Sequence, residues 1–231
     1  MSACLFDLDG VLTDTARLHA AAWKEMFDEF LAKRGQPPFD TVRDYDQYVD
    51  GRARLDGVRA FLASREITLP EGSADDGPDA QTVFALGAHK NDLVLALMRK
   101  EGIEPYPGSV RYVQAARDAG LRRAVVSASA NCREALRVAR IEELFEQVID
   151  GNVTEREHLA GKPAPDTYLA GARALGTEPA QAAVFEDAIA GVEAGRAGGF
   201  ALVVGIDRVG QAEALKAHGA DIVVRDLAEL L

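Results

Sequence analysis

Two carboxylates one residue apart, Asp7 and Asp9, follow the apolar run Ala3–Phe6 and precede Gly10. In an extended backbone, alternate side chains leave the same face, so both acids could project from the end of a buried strand into one pocket. Like charges this close resist joint ionisation unless a cation or a proton lies between them. The pair therefore suits a nucleophile beside an acid–base group, gathered around a metal ion.

The same short string has two plainer interpretations. Asp and Gly favour turns, so the segment could be an ordinary turn. It could also begin a calcium-binding loop. The calcium interpretation fits poorly, because Thr13-Asp14-Thr15 leads into a helix-like segment where a further acidic ligand would be needed. The turn interpretation stays open on these residues alone.

Three further polar clusters are expected at strand ends, two directly after apolar runs and one in a rigid loop that leads into a helix. They are Ser127-Ala128-Ser129, Glu186-Asp187 and Gly161–Asp166, the last of which contains Lys162. Separately, the serines could cap a helix, the lysine could be solvated, and the acidic pair could favour a helix N-terminus. Together, a carboxylate, a hydroxyl, a fixed cation and an acidic pair are the parts of a phosphoryl-transfer site.

The composition narrows the class of partner. The 231 residues carry a formal net charge of −11, with 48% hydrophobic and 27% charged residues. We expect neither a nucleic acid nor a membrane partner. A phosphorylated substrate remains compatible, because charges beyond about 8 Å are largely screened. The start of the chain does not resemble a signal peptide, no long uncharged apolar stretch occurs, and Cys4 and Cys132 make no disulfide framework, so we expect a cytoplasmic protein.

Short apolar runs alternate with helical patterns over most of the chain. The predicted strands are Ala3–Phe6, Ala124–Val126, Val148–Ile149, Ala183–Phe185, Leu202–Val204 and Ile222–Val224. The predicted helices between them are Val110–Ala119, Arg133–Ala139, Thr167–Leu175 and Ala188–Ala197. This alternation predicts an α/β fold, with a doubly wound and mostly parallel sheet. In such sheets, ligands gather outside the carboxyl ends of the strands.

One segment breaks this rhythm. Residues 15–101 contain the helical patterns Ala16–Lys33, Val58–Ser64 and Asp92–Arg99, a loop at Pro70–Ala80, and no convincing strand. We therefore expect residues 1–14 and 102–231 to form the catalytic core and residues 15–101 to form an inserted α-helical cap domain. A lid of this kind would exclude water during chemistry.

With these motifs in order, the chain resembles the haloacid dehalogenase superfamily of phosphotransferases over essentially its whole length. The matching residues are Asp7-Leu8-Asp9-Gly10-Val11, Ser127, Lys162, and Glu186-Asp187 with Gly191 behind them. The resemblance implies a Rossmann-like core with a helical cap, in which Asp7 is the nucleophile and forms an aspartyl-phosphate. Asp9 would be the general acid and base, which favours a phosphatase or a phosphomutase over a dehalogenase.

The resemblance also implies the ligands. Mg²⁺ would be held by Asp7, the backbone carbonyl of Asp9, and Asp187, with Glu186 acting through water. Ser127 and Lys162 would hold the phosphoryl group.

Within the superfamily, the chain is most similar to the β-phosphoglucomutase family. The likeness covers the first motif with His19 and Trp23 behind it, Gly51-Arg52-Ala53-Arg54, Lys90-Asn91-Asp92, and the loop Ser127–Asn131 with Ala128 and Asn131 in it. It places Arg54 as a guanidinium clamp for a second phosphate, and Lys90 as a further cation. Either cation could instead be a surface charge, and His19 could relay closure or pack at a hinge. Ala130 departs from the family pattern, which commonly has a basic residue there.

These observations lead to one expectation with two alternatives. The expected activity is Mg²⁺-dependent interconversion of β-D-glucose 1-phosphate and glucose 6-phosphate, with glucose 1,6-bisphosphate as intermediate and activating phosphoryl donor. The first alternative is a phosphatase for sugar phosphates or other small phosphomonoesters. The second is a non-catalytic phosphate-binding protein, which would have no need of Asp9. The partner is a small phosphorylated sugar, and we expect a monomer.

Overall fold

The computed structural model describes all residues from 1 to 231, and the chain divides into two compact units. Residues 1–15 and 103–231 form the core unit, and residues 16–102 form the inserted unit. Each boundary lies one residue later than the sequence predicted. Thr15 belongs to the core unit, where its hydroxyl donates to Asp9. Gly102 closes the last helix of the inserted unit, with its N–H donating to the Met98 carbonyl at 2.9 Å.

The core unit contains one sheet of six parallel strands. In chain order these are β1 (Ala3–Phe6), β2 (Arg122–Val126), β3 (Gln147–Ile149), β4 (Ala182–Glu186), β5 (Leu202–Ile206) and β6 (Ile222–Val224). Their order across the sheet is β3-β2-β1-β4-β5-β6. The predicted α/β, doubly wound fold is confirmed, and all five strand pairings are parallel.

Nine α-helices accompany the sheet. They are α1 (Ala16–Ala32), α2 (Arg54–Ser64), α3 (Val83–Glu101), α4 (Pro107–Asp118), α5 (Cys132–Val138), α6 (Gly151–Arg156), α7 (Asp166–Ala174), α8 (Ile189–Ala197) and α9 (Ala212–Ala217). Short 3₁₀ segments lie at Glu142–Leu144, Pro179–Gln181 and Leu227–Leu230. None of the helices is both long and apolar enough to cross a membrane.

The centre of the sheet determines where the site lies. In β1, Phe6 pairs with Val125 of β2 on one side and with Phe185 of β4 on the other. The chain therefore leaves these three strands at neighbouring points of one edge. The strand order reverses direction between β1 and β4, and this switch point is where doubly wound sheets bind ligands.

The strands of the sheet centre are buried on both faces, as their continuous apolar runs predicted. The rings of Phe6 and Phe185 stack at a centroid distance of 4.6 Å. On the face covered by α7, the fully buried Tyr168 packs in a cluster with Leu5 and Val184. Burial of each such side chain stabilises the fold by about 1.5–3 kcal/mol, so the sheet centre is a rigid support for the segments that follow it.

The inserted unit is built around an aromatic cluster. Phe27 of α1 contacts Phe39 and Phe61, with centroid distances of 5.3 and 4.1 Å. The sequence did not predict the π-helical turn Tyr45–Val49, and its periodicity missed the beginning of α3. Gly87 weakened that helical pattern, yet a side chain there would meet Leu55 Cδ2 at 2.6 Å. Close packing between helices therefore explains the glycine inside α3.

Asp46, in the π-helical turn, should make the stability of the fold depend on pH. Burial, reinforced by the negative charge of Asp40, raises the Asp46 pKa from its ordinary 3.8 to about 6. A carboxyl with a raised folded-state pKa stabilises the fold below pH 4, and this stability is lost as pH rises through 6. We expect Asp46→Asn to raise the free energy of unfolding by roughly 1 kcal/mol at pH 8 and by little at pH 4, after discounting for partial exposure.

Urea denaturation at both pH values measures this difference. Asp79→Asn, in an exposed loop of the same unit, is the matched control for removal of one charge. An equal gain at pH 4 and pH 8 would contradict the assigned role of ionisation.

Candidate active site

Asp7 begins the segment that follows β1. Its N–H donates to the Phe185 carbonyl at 2.9 Å, which continues the pairing with β4 for one residue. The residue is only 6% exposed, and its Oδ1 accepts a hydrogen bond from Lys162 Nζ at 2.6 Å. The strand end therefore holds a buried carboxylate against a buried cation.

Lys162 comes from the loop between α6 and α7. Its ammonium donates to Asp7 Oδ1, to Glu186 Oε1 at 2.5 Å and to the Val126 carbonyl at 3.1 Å. Burial alone would lower the pKa of Lys162, but the two carboxylates more than offset it and raise the pKa above its ordinary value. The side chain is therefore a permanent cation, and the solvated-lysine interpretation is wrong because only 3% of the residue is exposed.

Glu186 is held from three directions at the end of β4. Its Oε1 accepts from Lys162 and from the Tyr168 hydroxyl at 3.0 Å, and its Oε2 accepts from the Ala188 N–H at 3.0 Å. Burial raises the pKa of Tyr168, so its hydroxyl stays protonated as a donor. A Cβ at position 191 would lie 1.7 Å from Glu186 Oε1, which explains why glycine occupies that turn of α8.

Asp7, Glu186 and Asp187 make a group suited to a cation. One carboxylate oxygen from each lies within 4.8 Å of the others, and all three residues are buried. Burial, together with the charges of Glu186 and Asp9, raises the pKa of Asp7 despite the opposing charge of Lys162. One ammonium does not balance three carboxylates, and hard oxygen ligands are what Mg²⁺ prefers. The donor set therefore fits a divalent cation.

Asp9 lies in the tight turn beyond Asp7. Its Oδ1 accepts a hydrogen bond from the Thr15 hydroxyl, and the two hydroxyls of Thr13 and Thr15 lie 2.8 Å apart. The sequence did not identify Thr15 as a partner of the acid, although a hydroxyl six residues after it was the available signal. Gly10 completes the turn with φ +80°, and a Cβ there would lie 1.7 Å from Asp187 Oδ2.

In the serine loop after β2, residues 127–131, the serine hydroxyls accept hydrogen bonds from the loop's own backbone. Ser127 Oγ accepts from the Ser129 N–H at 3.1 Å, and Ser129 Oγ accepts from the Asn131 N–H at 3.2 Å. The helix-cap interpretation is wrong for both serines, because α5 begins at Cys132 with Asn131 as its N-terminal flanking residue and without a side-chain cap. Ser127 is buried beside Ala128 in a compact loop at the edge where Asp7 emerges.

Ala130 and Arg133, which lie on either side of the start of α5, both contact the segment around β3 and α6. The Ala130 carbonyl accepts from Asn152 Nδ2 at 2.8 Å, which ties the serine loop to α6. Arg133 donates to the Val148 carbonyl at 3.2 Å and lies 3.5 Å from Asp150. These contacts direct Arg133 to the end of β3.

A second polar cluster lies within the inserted unit. Lys90 Nζ is 2.9 Å from His19 Nδ1 and 4.9 Å from the centroid of the Trp23 ring. Arg54 Nη1 donates to Asn91 Oδ1 at 2.6 Å. The surface-charge interpretation is wrong for Lys90, which is only 3% exposed. The structure thus brings the predicted residues of this unit into two contacting groups on α1, α2 and α3.

Comparison with known proteins agrees with this architecture. A β-phosphoglucomutase of Mycobacterium bovis is 55% identical over 238 aligned residues, which cover 99% of this chain and 91% of the relative. A β-phosphoglucomutase of Bacillus subtilis is 30% identical, with 100% of this chain and 92% of the relative covered.

A solved structure shares the fold. The crystal structure of β-phosphoglucomutase from Clostridium difficile matches with a TM-score of 0.80 over 100% of this chain and 93% of that chain. At 24% identity, this likeness establishes the fold alone. The sequence model of the haloacid dehalogenase-like hydrolase family matches residues 1–199. The chain therefore belongs to the haloacid dehalogenase-like hydrolase family.

Proposed function

We propose that this protein is a β-phosphoglucomutase, which interconverts β-D-glucose 1-phosphate and glucose 6-phosphate. The observation that carries the proposal is the buried cluster of Asp7, Lys162, Glu186 and Asp187, which is built for phosphoryl transfer. The 55% identity to a curated enzyme of that name, over nearly the whole chain, supports the sugar as the acceptor. The intermediate of the proposed reaction is glucose 1,6-bisphosphate.

Asp7 supplies the attacking carboxylate oxygen. A bond forms between this oxygen and phosphorus of the bisphosphate, and the bond from phosphorus to the sugar oxygen breaks. In the second half of the cycle, a hydroxyl of the bound sugar monophosphate attacks the aspartyl-phosphate and restores the carboxylate. Lys162, 2.6 Å from Asp7 Oδ1, stabilises the negative charge of the transferred group in both directions.

Asp9 moves the proton in each half of the cycle. It donates a proton to the departing sugar oxygen, and in the return step it accepts one from the attacking hydroxyl. The hydrogen bond from Thr15 to Oδ1 orients the Asp9 carboxyl group. The partly exposed position of Asp9 leaves it accessible to substrate.

Mg²⁺ would be held by the carboxylates of Asp7 and Asp187 and by the backbone carbonyl of Asp9. When bound, it supplies positive charge that offsets the phosphoryl oxygens and keeps Asp7 ionised. Glu186 already accepts three hydrogen bonds, so we assign it contact with the ion through water.

A mutase must also hold the phosphate that does not react. Arg54 offers a planar guanidinium suited to bidentate recognition, and Asn91 orients it. Lys90 adds a second cation, positioned by His19 and Trp23. A phosphatase needs no second anion site, so this pair of cations favours the mutase over the phosphatase alternative.

The direct test follows two products at once. Protein is incubated with β-glucose 1-phosphate, Mg²⁺ and a trace of glucose 1,6-bisphosphate. We expect glucose 6-phosphate to form in large excess over free phosphate, because the aspartyl-phosphate is passed to sugar rather than water. Release of phosphate without isomerisation would replace the mutase with a phosphatase.

A second prediction concerns Asp9→Asn. Loss of the acid–base group should lower kcat by about 10²- to 10⁴-fold, measured in the same isomerisation assay. Asp118→Asn, an exposed acid at the end of α4, serves as the charge-matched control and should leave kcat unchanged. Full activity in Asp9→Asn would exclude its proposed role.

A third prediction separates the two phosphate sites. Arg54→Ala should lower kcat/KM for isomerisation by about 10- to 100-fold, the worth of a charged hydrogen bond. Hydrolysis of a small aryl phosphate should change little, since that substrate has no second phosphate. The control is Arg59→Ala on the same helix, because Arg59 is exposed and pairs with Glu71 and Asp56. Equal losses for both substrates in Arg54→Ala would count against a distal clamp.

A further inference from the structure

The loop that follows β5, residues 207–211, is anchored firmly at its base. The Asp207 N–H donates to the Val224 carbonyl at 2.8 Å. Asp207 Oδ1 accepts from the N–H groups of Gly210 and Gln211 at 2.6 and 2.7 Å. The loop is therefore a rigid support for the side chains that leave it.

Arg208 reaches from this loop to the turn that carries Asp9. Its Nε donates to the Gly10 carbonyl at 2.8 Å, and its Nη1 donates to the Arg225 carbonyl at 2.8 Å. The guanidinium carbon lies 3.7 Å from the centroid of the Tyr106 ring, so the group is held by stacking as well as by hydrogen bonds.

Gln211 reaches from the same loop to the acidic segment. Its Nε2 donates to the backbone carbonyl of Asp187 at 2.9 Å. One five-residue loop thus hydrogen-bonds to both segments that carry proposed metal ligands. The first is the Asp9–Gly10 turn, and the second contains Asp187 of the carboxylate group.

The Asp9–Gly10 turn and the segment at Asp187 are packed so closely that neither can move toward the other. A Cβ at Gly10 would lie 1.7 Å from Asp187 Oδ2 and 2.5 Å from its Cγ. The Asp187 carboxylate therefore lies directly against the Gly10 backbone. A small shift of the Gly10 or Asp187 backbone carbonyl would change the distances between the oxygen ligands beside it. Mg²⁺ requires those distances to be near-ideal.

The Arg208 guanidinium also pairs with Asp226, with Nη1 3.7 Å from Asp226 Oδ2, but not all of its nitrogens are satisfied. Its Nη2 is buried without a hydrogen-bond acceptor. An unsatisfied buried donor is unfavourable, and local costs of this kind are retained where a functional site gains from them.

We propose that Arg208 and Gln211 are positioning residues that set the distance between the Asp9–Gly10 turn and Asp187, and thereby the affinity for Mg²⁺. Neither side chain belongs to the ligand set. The inference rests on the proposed phosphoryl transfer only for its kinetic readout, because metal binding is measured without substrate.

The test uses Arg208→Lys and Gln211→Ala in the full chain. Arg208→Lys keeps the charge but lacks the planar group that bonds two carbonyls and stacks on Tyr106. The matched controls are Arg196→Lys, whose side chain is 63% exposed, and Gln181→Ala, at an exposed position. Titration calorimetry measures Mg²⁺ binding, and thermal unfolding without metal measures stability. Isomerisation over a range of Mg²⁺ concentrations gives kcat and KM.

We expect the Mg²⁺ dissociation constant to rise about 10-fold in both variants and in neither control, the size of effect typical of outer-shell partners. kcat should fall at low Mg²⁺ and recover at saturating Mg²⁺, with KM for the sugar nearly unchanged. Gln211→Ala tests the idea even where Arg208→Lys folds poorly, because it removes only one partly exposed amide.

Unchanged Mg²⁺ affinity in Gln211→Ala, with or without a lower melting temperature, would overturn the proposal. So would a wild-type protein that binds no Mg²⁺. A wild-type protein that binds Mg²⁺ but isomerises no sugar would reject the mutase assignment. The positioning proposal would then still be decided by the Mg²⁺ dissociation constants of the two variants.

Discussion

The contact of Lys162 with two buried carboxylates is the interaction on which the core unit depends. Removing a charge from water costs several kcal/mol per ion, and only close, fully hydrogen-bonded partners offset it. Here the ammonium uses its three hydrogens on Asp7, Glu186 and the Val126 carbonyl. The cluster therefore requires β1, β2 and β4 to be in register, so the geometry of the site depends on the pairing of the sheet centre.

The same cluster explains why small residues surround it. Carboxylates can converge only where the backbone leaves room, and Gly10 and Gly191 each leave a space that a methyl group would fill at 1.7 Å from an acidic oxygen. Burial first, and then the charges of Glu186 and Asp9, raise the pKa of Asp7 despite the opposing charge of Lys162. A divalent cation held by these carboxylates would offset their negative charge, which is why the donor set fits Mg²⁺.

The sequence predicted the parts of the structure that depend on local pattern. β1 lies where its continuous apolar run placed it, because a strand buried on both faces has a distinctive composition. β6 was also placed correctly, although it is an edge strand and its Ile222 is exposed. Three of the four clusters lie at the ends of β1, β2 and β4, and the topology of a parallel sheet brings those strand ends together. The Lys162 loop lies instead between α6 and α7, and only tertiary packing brings its lysine to Asp7. The start of α3 was missed because Gly87 lowers helical propensity, whereas its packing against Leu55 is a tertiary effect.

Other parts of the site had no local signal. The contact between Arg208 and Gly10 joins residues 198 positions apart, and that between Gln211 and Asp187 depends on how the loop after β5 folds. No periodicity or motif records such contacts. The sequence therefore predicts groups that perform chemistry more readily than groups that hold them, because the former require particular residue types and the latter require only a donor in the right place.

Chemistry and specificity make different demands on this chain. In the proposed reaction, the cluster around Asp7 contacts the phosphoryl group and not the rest of the substrate. Selection of a bisphosphate needs further positive charge. The serine loop of the core unit has the uncharged Ala130, and Arg133 is directed to the end of β3.

The inserted unit offers Arg54 and Lys90, each already oriented by a neighbour. Since a preoriented cation loses less side-chain entropy on binding, these two residues are better suited to a distal phosphate than a mobile surface lysine would be. In the proposed mutase reaction these demands fall on different residues, phosphoryl transfer on Asp7 and its neighbours and recognition of the second phosphate on Arg54 and Lys90.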